Sequence, residues 1–148
     1  MRTYADIKMT EPVDQSTQIK DIMTSPVLCV TLNTTVNHVL KLAKKKNVTG
    51  FPVVDIDHKV IGVVSTLDII TEVAAGKLHL KLGELPLVIK VEKDVIRLSP
   101  ETPVKKALLT IIKKRVGRII IIDGNNILCG IVSRKDLINY FIDINKLG

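Results

Sequence analysis

The sequence predicts an α/β protein of the α+β type, made of two β-α-β-β-α repeats that pack sheet to sheet about a pseudo-twofold axis. A nine-residue phrase occurs twice, as GVVSTLDII at residues 62–70 and as GIVSRKDLI at residues 130–138. The composition is 46% hydrophobic but only 3% aromatic, which predicts an aliphatic core of Ile, Val and Leu. The 148 residues suffice for two small half-domains that share such a core.

The duplication extends well beyond the repeated phrase. Residues 27–70 align on residues 95–138 without a gap, and 13 of the 44 aligned positions are identical. Most of the remaining apolar positions exchange Val, Ile and Leu. The chain therefore consists, over most of its length, of two copies of one sequence unit.

Each repeat is predicted to form the same series of secondary-structure elements. A short β-rich stretch, Val27 to Val30, predicts a strand, and Thr34 or Thr35 opens a helix with apolar residues at helical spacing. In the second copy we expect Thr102 to be the N-cap, with Pro103 at the first helical position. The stretches FPVVD and IIIID then predict buried strands, DIDHK and DGNNI predict turns, and VIGVV and LCGIV predict the returning strands. Ser65 and Ser133 begin the second helix of each repeat.

The repeat pattern also sets the expected domain boundaries and the place of a site. We expect a flexible segment at 1–16, a first domain at 17–76, a linker at 77–86, a second domain at 87–143 and a tail at 144–148. The stretch TQIKDIM predicts a lead-in helix that covers the first repeat with Ile19, Ile22 and Met23. Sheet-to-sheet packing would leave two equivalent crevices, where strand ends of one copy meet helix starts of the other, and a ligand is expected there.

Composition and charge narrow the class of protein. No apolar run approaches the ~20 residues of a membrane helix, and the polar start lacks a secretory signal, so we expect a cytoplasmic protein without a membrane partner. Cys29 and Cys129 stand in apolar stretches without Cys or His at ligand spacing, which favours two packed thiols over a disulfide or a metal site. The net charge of +7 favours anionic partners without choosing among them.

The phrases KDIMTSPV, VTGFPVVD and GVVSTLDII, with the second copy of this pattern, resemble the paired cystathionine β-synthase (CBS) domain, or Bateman module. The resemblance covers roughly residues 17–143. It implies the fold predicted above, binding of adenosine-containing ligands such as AMP, ADP or ATP in the two crevices, and association into a homodimer. S-adenosylmethionine and methylthioadenosine are chemically compatible ligands as well, and no cofactor is required.

The resemblance also implies roles for individual residues. Asp68 and Asp136 would bind ribose, Ser65 and Ser133 would contact phosphate, and each crevice would combine these with residues of the other copy. The other residues expected at the crevices are the threonines before the first helices, the loops before the middle strands and three further positions: Thr34, Thr102, Thr49, Gly50, Gly117, Arg118, Val39, Ala107 and Lys135.

The chemistry of these residue types fits the implied ligand. A carboxylate can accept two hydrogen bonds from a vicinal diol, and a serine at a helix N-terminus lies among N–H groups that favour an anion. The same S-x-x-D pattern is also a helix capping box, and the two roles are compatible. The basic runs Lys44–Lys46 and 113–115 end their helices, where cations are favourable, and no aromatic residues accompany them for base stacking.

These features support four functions to different degrees. The favoured one is a regulatory module that binds adenine nucleotides and signals to an effector protein in trans, with no catalytic residues and no metal. A binder of nucleic acid or another polyanion is the alternative, supported by charge alone. An enzyme lacks support, since His38, His58 and His79 are isolated and no P-loop or nucleophile motif is present. A purely structural dimerisation module would bind nothing.

We also expect the two crevices to differ. Arg134, Lys135 and Arg118 accompany the second motif, whereas Thr66 and Leu67 separate Ser65 from Asp68 in the first. The second-copy crevice is therefore expected to prefer phosphorylated nucleotides, and the first-copy crevice to prefer less charged adenosine derivatives or to remain empty.

Overall fold

The computed structural model describes residues 16–85 and 96–148, which divide into two compact units. The first-repeat unit contains described residues 28–85 and 125–128, and the second-repeat unit contains 16–27, 96–124 and 129–148. Each unit therefore holds one repeat together with a short segment from elsewhere in the chain.

The first-repeat unit contains helix α1 (Val36–Lys46), strands β1 (Gly50–Val54) and β2 (Val60–Ser65), and helix α2 (Thr66–Ala74). Strands β1 and β2 pair antiparallel, with Gly50 opposite Ser65. The strand predicted at 27–30 is reduced to a single parallel bridge between Val30 and Val53. The order of elements is otherwise the predicted one.

The second-repeat unit contains strand β3 (Arg97–Leu98), helix α3 (Val104–Lys114), strand β4 (Arg118–Ile122), residues 129–133 of strand β5 (Leu128–Ser133), and helix α4 (Arg134–Ile144). Strands β3, β4 and β5 form one sheet in that order, with β3 parallel to β4. The α/β fold class and the two-repeat organisation are thus confirmed.

Each unit buries its own aliphatic core. Alternating residues of β2 and β5 are buried, as expected for strands with one covered face. The first core contains Val30, Val36, Val39, Phe51, Val53, Val64, Ile69, Leu82 and Leu85. The second contains Ile19, Val104, Ala107, Ile111, Ile119, Ile121, Val132, Leu137 and Tyr140.

The lead-in segment packs on the second repeat, so the prediction that it covers the first repeat is wrong. Its helix is a single 3-10 turn, Ile19–Asp21, rather than an α-helix. Ile19 is fully buried in the second core, and its N–H donates to the carbonyl of Thr102 at 2.8 Å. Ile22 and Met23 pack against the same core. Apolar spacing identified a packing face, but it carried no information about which of two similar cores receives it.

Residues 78–85, within the predicted linker, contribute to the first core. Leu82 is fully buried, and its N–H donates to the carbonyl of Thr34 at 2.9 Å. The carbonyls of Leu78 and Leu80 accept from the first turn of α1. Residues 86–95, which include the start of the predicted second domain, lie outside the described residues.

The structure uses the second of the two threonines that the sequence offered for the start of α1, whereas the N-cap predicted for α3 lies one residue too early. Thr35, not Thr34, is the N-cap of α1, and its hydroxyl accepts from the His38 N–H at 3.2 Å. In α3 the N-cap is Pro103 rather than Thr102, and no side chain caps the helix. Both helices end in the left-handed conformation at equivalent residues, Asn47 and Arg115.

The tip of the β4–β5 hairpin belongs to the first-repeat unit. The Val60 N–H donates to the Asn126 carbonyl, and the Leu128 N–H donates to the His58 carbonyl, both at 3.1 Å. Lys59 lies opposite Ile127, which is its equivalent 68 residues later. Equivalent residues of the two hairpins therefore exchange hydrogen bonds symmetrically, which is a local trace of the duplication.

Candidate ligand site at the helix starts

In the first repeat the motif residues lie at the start of α2. Ser65 is the N-cap, and its hydroxyl accepts from the Asp68 N–H at 3.2 Å. The same hydroxyl donates to Asp68 Oδ2 at 2.8 Å. Asp68 is exposed, so its carboxylate faces solvent at the positive end of the helix.

In the second repeat the equivalent residues form a complete capping box at the start of α4. The Ser133 N–H and hydroxyl donate to Asp136 Oδ2 at 2.7 and 3.1 Å, and the Ser133 hydroxyl accepts from the Asp136 N–H at 3.4 Å. Asp136 is half-buried, whereas Asp68 is exposed. The capping role is therefore present in both repeats, and it is stronger in the second.

The loops before the middle strands lie beside these helix starts. The Thr49 carbonyl accepts from the Thr66 N–H at 2.9 Å and from the Thr66 hydroxyl at 3.1 Å. In the second repeat the Gly117 carbonyl accepts from the Arg134 N–H at 3.2 Å. A Cβ placed on Gly117 would meet nothing within 4 Å, so the loop borders open space. Each loop is thus joined to the motif helix of its own repeat, and its predicted partnership with the other copy stays a prediction.

Thr34 and Thr102 occupy equivalent turns before α1 and α3. The Thr34 hydroxyl accepts from the Thr31 N–H at 3.1 Å, and the Thr102 hydroxyl shares a 3.0 Å hydrogen bond with the hydroxyl of Ser99. Both threonines are half-buried and stabilise their turns. Val39 and Ala107, also predicted at the crevices, are fully buried within their cores.

The cationic side chains of the second repeat differ in their surroundings. Arg134 and Lys135 are exposed at the start of α4, whereas Arg118 is half-buried at the start of β4. Burial lowers the pKa of the Arg118 guanidinium, although an arginine keeps its charge at neutral pH. Two exposed cations, Arg134 and Lys135, therefore lie between the serine and the aspartate of the second motif.

Thr24 contacts this site although no sequence pattern predicts it there. Its hydroxyl donates to Asp136 Oδ1 at 2.8 Å, so a residue of the lead-in segment contacts the predicted ribose-binding carboxylate of the second repeat. Thr24 lies outside the aligned repeats, and periodicity could not have found it. The signal that the sequence offers is the segment Thr-Ser-Pro at 24–26, whose two hydroxyl side chains interrupt an apolar stretch.

Neither a metal centre nor a membrane helix is found in the described parts of the chain. Residues 16–85 and 96–148 contain no group of three or more His, Cys, Asp and Glu side chains that could hold a metal ion. Within the same ranges, no helix combines the length and apolar character that a membrane span requires. Cys29 and Cys129 are free thiols and half-buried, and burial raises the pKa of both.

Comparison with known proteins identifies the family. The model of the CBS domain matches the chain twice, over residues 19–75 and 85–143. The chain therefore belongs to the CBS domain family and carries two copies of the domain.

One curated relative is the uncharacterised protein MJ1232 of Methanocaldococcus jannaschii, which is 31% identical over 121 residues. The match covers 82% of this chain but only 38% of that protein. The chain thus spans well under half the length of this relative.

Two solved structures share the fold. The CBS domain pair of protein MJ0100, solved in complex with 5-methylthioadenosine and S-adenosyl-L-methionine, superposes with a TM-score of 0.70 at 24% identity, over 84% of this chain and 95% of that one. CBSX2 in complex with AMP superposes with a TM-score of 0.72 at 22% identity, over 86% of this chain and 98% of that one. At this level of identity the likeness establishes the fold.

Proposed function

We propose that this chain is a regulatory CBS pair that binds an adenosine-containing ligand at the starts of α2 and α4. The observation that carries the proposal recurs in both repeats: an aspartate lies three residues after an N-cap serine, on a helix whose first N–H donates to the loop before the middle strand. A helix start offers N–H groups to a phosphate, and the aspartate offers acceptors to a ribose diol.

The ligand class rests on chemistry and on the relatives. AMP, ADP and ATP present both a vicinal diol and an anionic group, and methylthioadenosine and S-adenosylmethionine present the same diol. The bound ligands of MJ0100 and CBSX2, named above, all contain adenosine. We assign no catalytic step to the module, and its cytoplasmic location stays a prediction.

The charge difference between the two repeats supports a difference in ligand preference. Arg134 and Lys135 stand between Ser133 and Asp136, where the first repeat has Thr66 and Leu67. A phosphorylated nucleotide is therefore favoured at α4, and a less charged adenosine derivative at α2.

Isothermal titration calorimetry with AMP, ADP and ATP tests both proposals on the wild type, Asp68→Ala and Asp136→Ala. We expect each substitution to remove one binding event, and Asp136→Ala to cost more affinity for ATP than Asp68→Ala does. Equal losses in the two variants refute the charge asymmetry. Unchanged binding in the double variant refutes the role of the aspartates.

The regulatory output is proposed to reach an effector protein through a change in the arrangement of a homodimer. A ligand can shift such an arrangement only by its differential affinity for two states. Light scattering after size exclusion, with and without AMP, should show a dimer whose hydrodynamic radius changes on binding. A monomer under both conditions would contradict this part of the proposal.

A further inference from the structure

The contact between Thr24 and Asp136 depends on how the lead-in segment is held. Residues 22–25 run beside β5, where the Thr24 N–H donates to the Ile131 carbonyl at 2.9 Å and the Ile131 N–H donates to the Thr24 carbonyl at 3.0 Å. The Ser25 hydroxyl donates to the Cys129 carbonyl at 2.8 Å. We call residues 22–25 the lead-in strand. Its backbone pairing fixes the Thr24 hydroxyl over the carboxylate of Asp136.

The acceptor capacity of Asp136 is largely occupied by these contacts. An ionised carboxylate has about four lone-pair sites, two on each oxygen. Oδ2 accepts two hydrogen bonds from Ser133, and Oδ1 accepts one from Thr24. One site is left, whereas a ribose diol requires two. A ribose bound through both hydroxyls must therefore displace an existing donor.

Thr24 is the donor that can leave at the lower cost. Ser133 is the N-cap of α4, and its hydrogen bonds with Asp136 are part of the helix start. The Thr24 hydroxyl is exposed and can bond to water once it is displaced. Displacement removes the side-chain contact between the lead-in strand and α4, so the backbone pairing with Ile131 opens more often.

Among the described residues, the first repeat shows no such arrangement. Asp68 accepts one side-chain hydrogen bond among the described residues, from Ser65. Within the part of the chain that the structure describes, this competition is therefore found at Asp136 and not at Asp68.

We propose that Thr24 controls access of the ribose to Asp136. A ligand bound at α4 then breaks the hydrogen bond between Thr24 and Asp136 that holds the lead-in strand to α4. The inference rests on the proposed function, because it requires Asp136 to bind a diol. Binding and release are reciprocal: a ligand that displaces Thr24 loosens the strand, and a variant without the hydroxyl binds the ligand more tightly. Ligand binding at this site therefore affects the residues that precede the lead-in strand in the chain, and it does so by loosening that strand.

The test uses the isosteric substitution Thr24→Val in an Asp68→Ala background, so that calorimetry with AMP reports the second-repeat site alone. Loss of one hydrogen bond to a carboxylate should tighten AMP binding on the order of tenfold. Thr71→Val in the same background is the matched control, since Thr71 donates to the Leu67 carbonyl on α2 and does not contact Asp136. It should leave the affinity unchanged.

Amide hydrogen exchange of the wild type gives an independent readout. AMP should accelerate exchange at the Thr24 amide, and Thr24→Val should show fast exchange already without AMP. Weaker or unchanged AMP binding in Thr24→Val, or slower exchange at Thr24 with AMP, overturns the inference while the proposed function stands. Failure of the Asp68→Ala protein to bind AMP removes the second-repeat site from the proposed function and the inference with it.

Discussion

At the scale of single residues, the two motif aspartates differ more in structural role than the repeat suggests. Asp136 accepts three hydrogen bonds from Ser133 and Thr24, whereas Asp68 accepts one from Ser65. We expect Asp136→Ala to lower the free energy of unfolding by about 1–3 kcal/mol, since donors in a half-buried setting lose their partner. Asp68→Ala should cost less than about 1 kcal/mol because its site is exposed. Urea unfolding of both variants measures the difference, and equal costs would contradict it.

His58 offers a site for stabilisation. It adopts a positive φ of 63°, as its equivalent Asn126 does with 65°. Asparagine tolerates this left-handed conformation better than most residues. We expect His58→Asn to raise the free energy of unfolding by less than about 1 kcal/mol, because the short asparagine side chain can hydrogen-bond to the local backbone in this conformation. His38→Asn, at an exposed position in α1, is the matched control and should change little. A similar effect of both substitutions would show that backbone conformation is not the cause.

Cys29 provides a pH-dependent prediction. Burial raises the pKa of its thiol in the folded chain. As pH rises, the thiol of the unfolded chain ionises at a lower pH than that of the folded chain. Ionisation therefore stabilises the unfolded state relative to the folded state. The unfolding free energy of the wild type should therefore decline faster than that of Cys29→Ser above about pH 8.5. Urea unfolding from neutral to alkaline pH measures this, and parallel curves would contradict it.

The site residues that were predicted correctly from the sequence are those that have the same structural role in both repeats. Ser65 and Ser133 are the N-caps of α2 and α4, because a serine followed by an acid three residues later is a local signal. Thr24 was not predicted because its contact with Asp136 spans 112 positions and has no counterpart among the described residues of the other repeat. A local motif can be predicted from a sequence, whereas a single long-range contact between side chains cannot.

At the scale of elements, Gly130 keeps room for the lead-in strand. A Cβ at Gly130 would lie 2.5 Å from the Met23 sulfur and 3.1 Å from the Thr24 carbonyl oxygen. The methionine can move, but the carbonyl belongs to paired backbone. We expect Gly130→Ala to cost about 1–3 kcal/mol of unfolding free energy through this overpacking. It should also accelerate amide exchange at Thr24.

Gly124 is the matched control for this substitution. A Cβ there meets nothing within 4 Å, and its φ lies outside the left-handed region. Gly124→Ala should leave stability and exchange at Thr24 nearly unchanged. A loss in Gly124→Ala as large as that in Gly130→Ala would attribute the effect to the glycine backbone rather than to crowding.

Element order was predictable because strand and helix periodicities alternate clearly in both copies. The start of α1 was predicted at Thr34 or Thr35 and lies at Thr35, whereas the start of α3 was misplaced by one residue at Thr102, since adjacent Thr-Thr and Thr-Pro pairs offer two neighbouring N-cap positions. The lead-in helix was wrong in length and in the core that it covers, because Ile19 fits either of two homologous aliphatic cores. Duplication thus makes the helices and strands easy to recognise from the sequence. It also makes it harder to predict which of the two units a flanking segment packs against.

At the scale of the whole molecule, the net charge of +7 supports an alternative function, in which the protein binds a polyanion rather than a nucleotide. Affinity for a polyanion falls steeply with salt, because each neutralised phosphate releases counterions. A site that recognises ribose and adenine depends less on charge. We expect binding of a single-stranded oligonucleotide to weaken by roughly a hundredfold or more between about 50 and 500 mM salt. Binding of AMP should weaken by less than about tenfold over the same range, since one phosphate contributes few ion contacts.

Fluorescence titrations at several salt concentrations measure both affinities, and Asp68→Ala/Asp136→Ala separates the two binding modes. This double variant raises the net charge from +7 to +9, because it removes two acidic side chains from a total of 15. Oligonucleotide binding should therefore stay the same or strengthen, while AMP binding is lost. If AMP competes with the oligonucleotide and both affinities fall together with salt, the basic surface rather than the motif aspartates recognises the nucleotide.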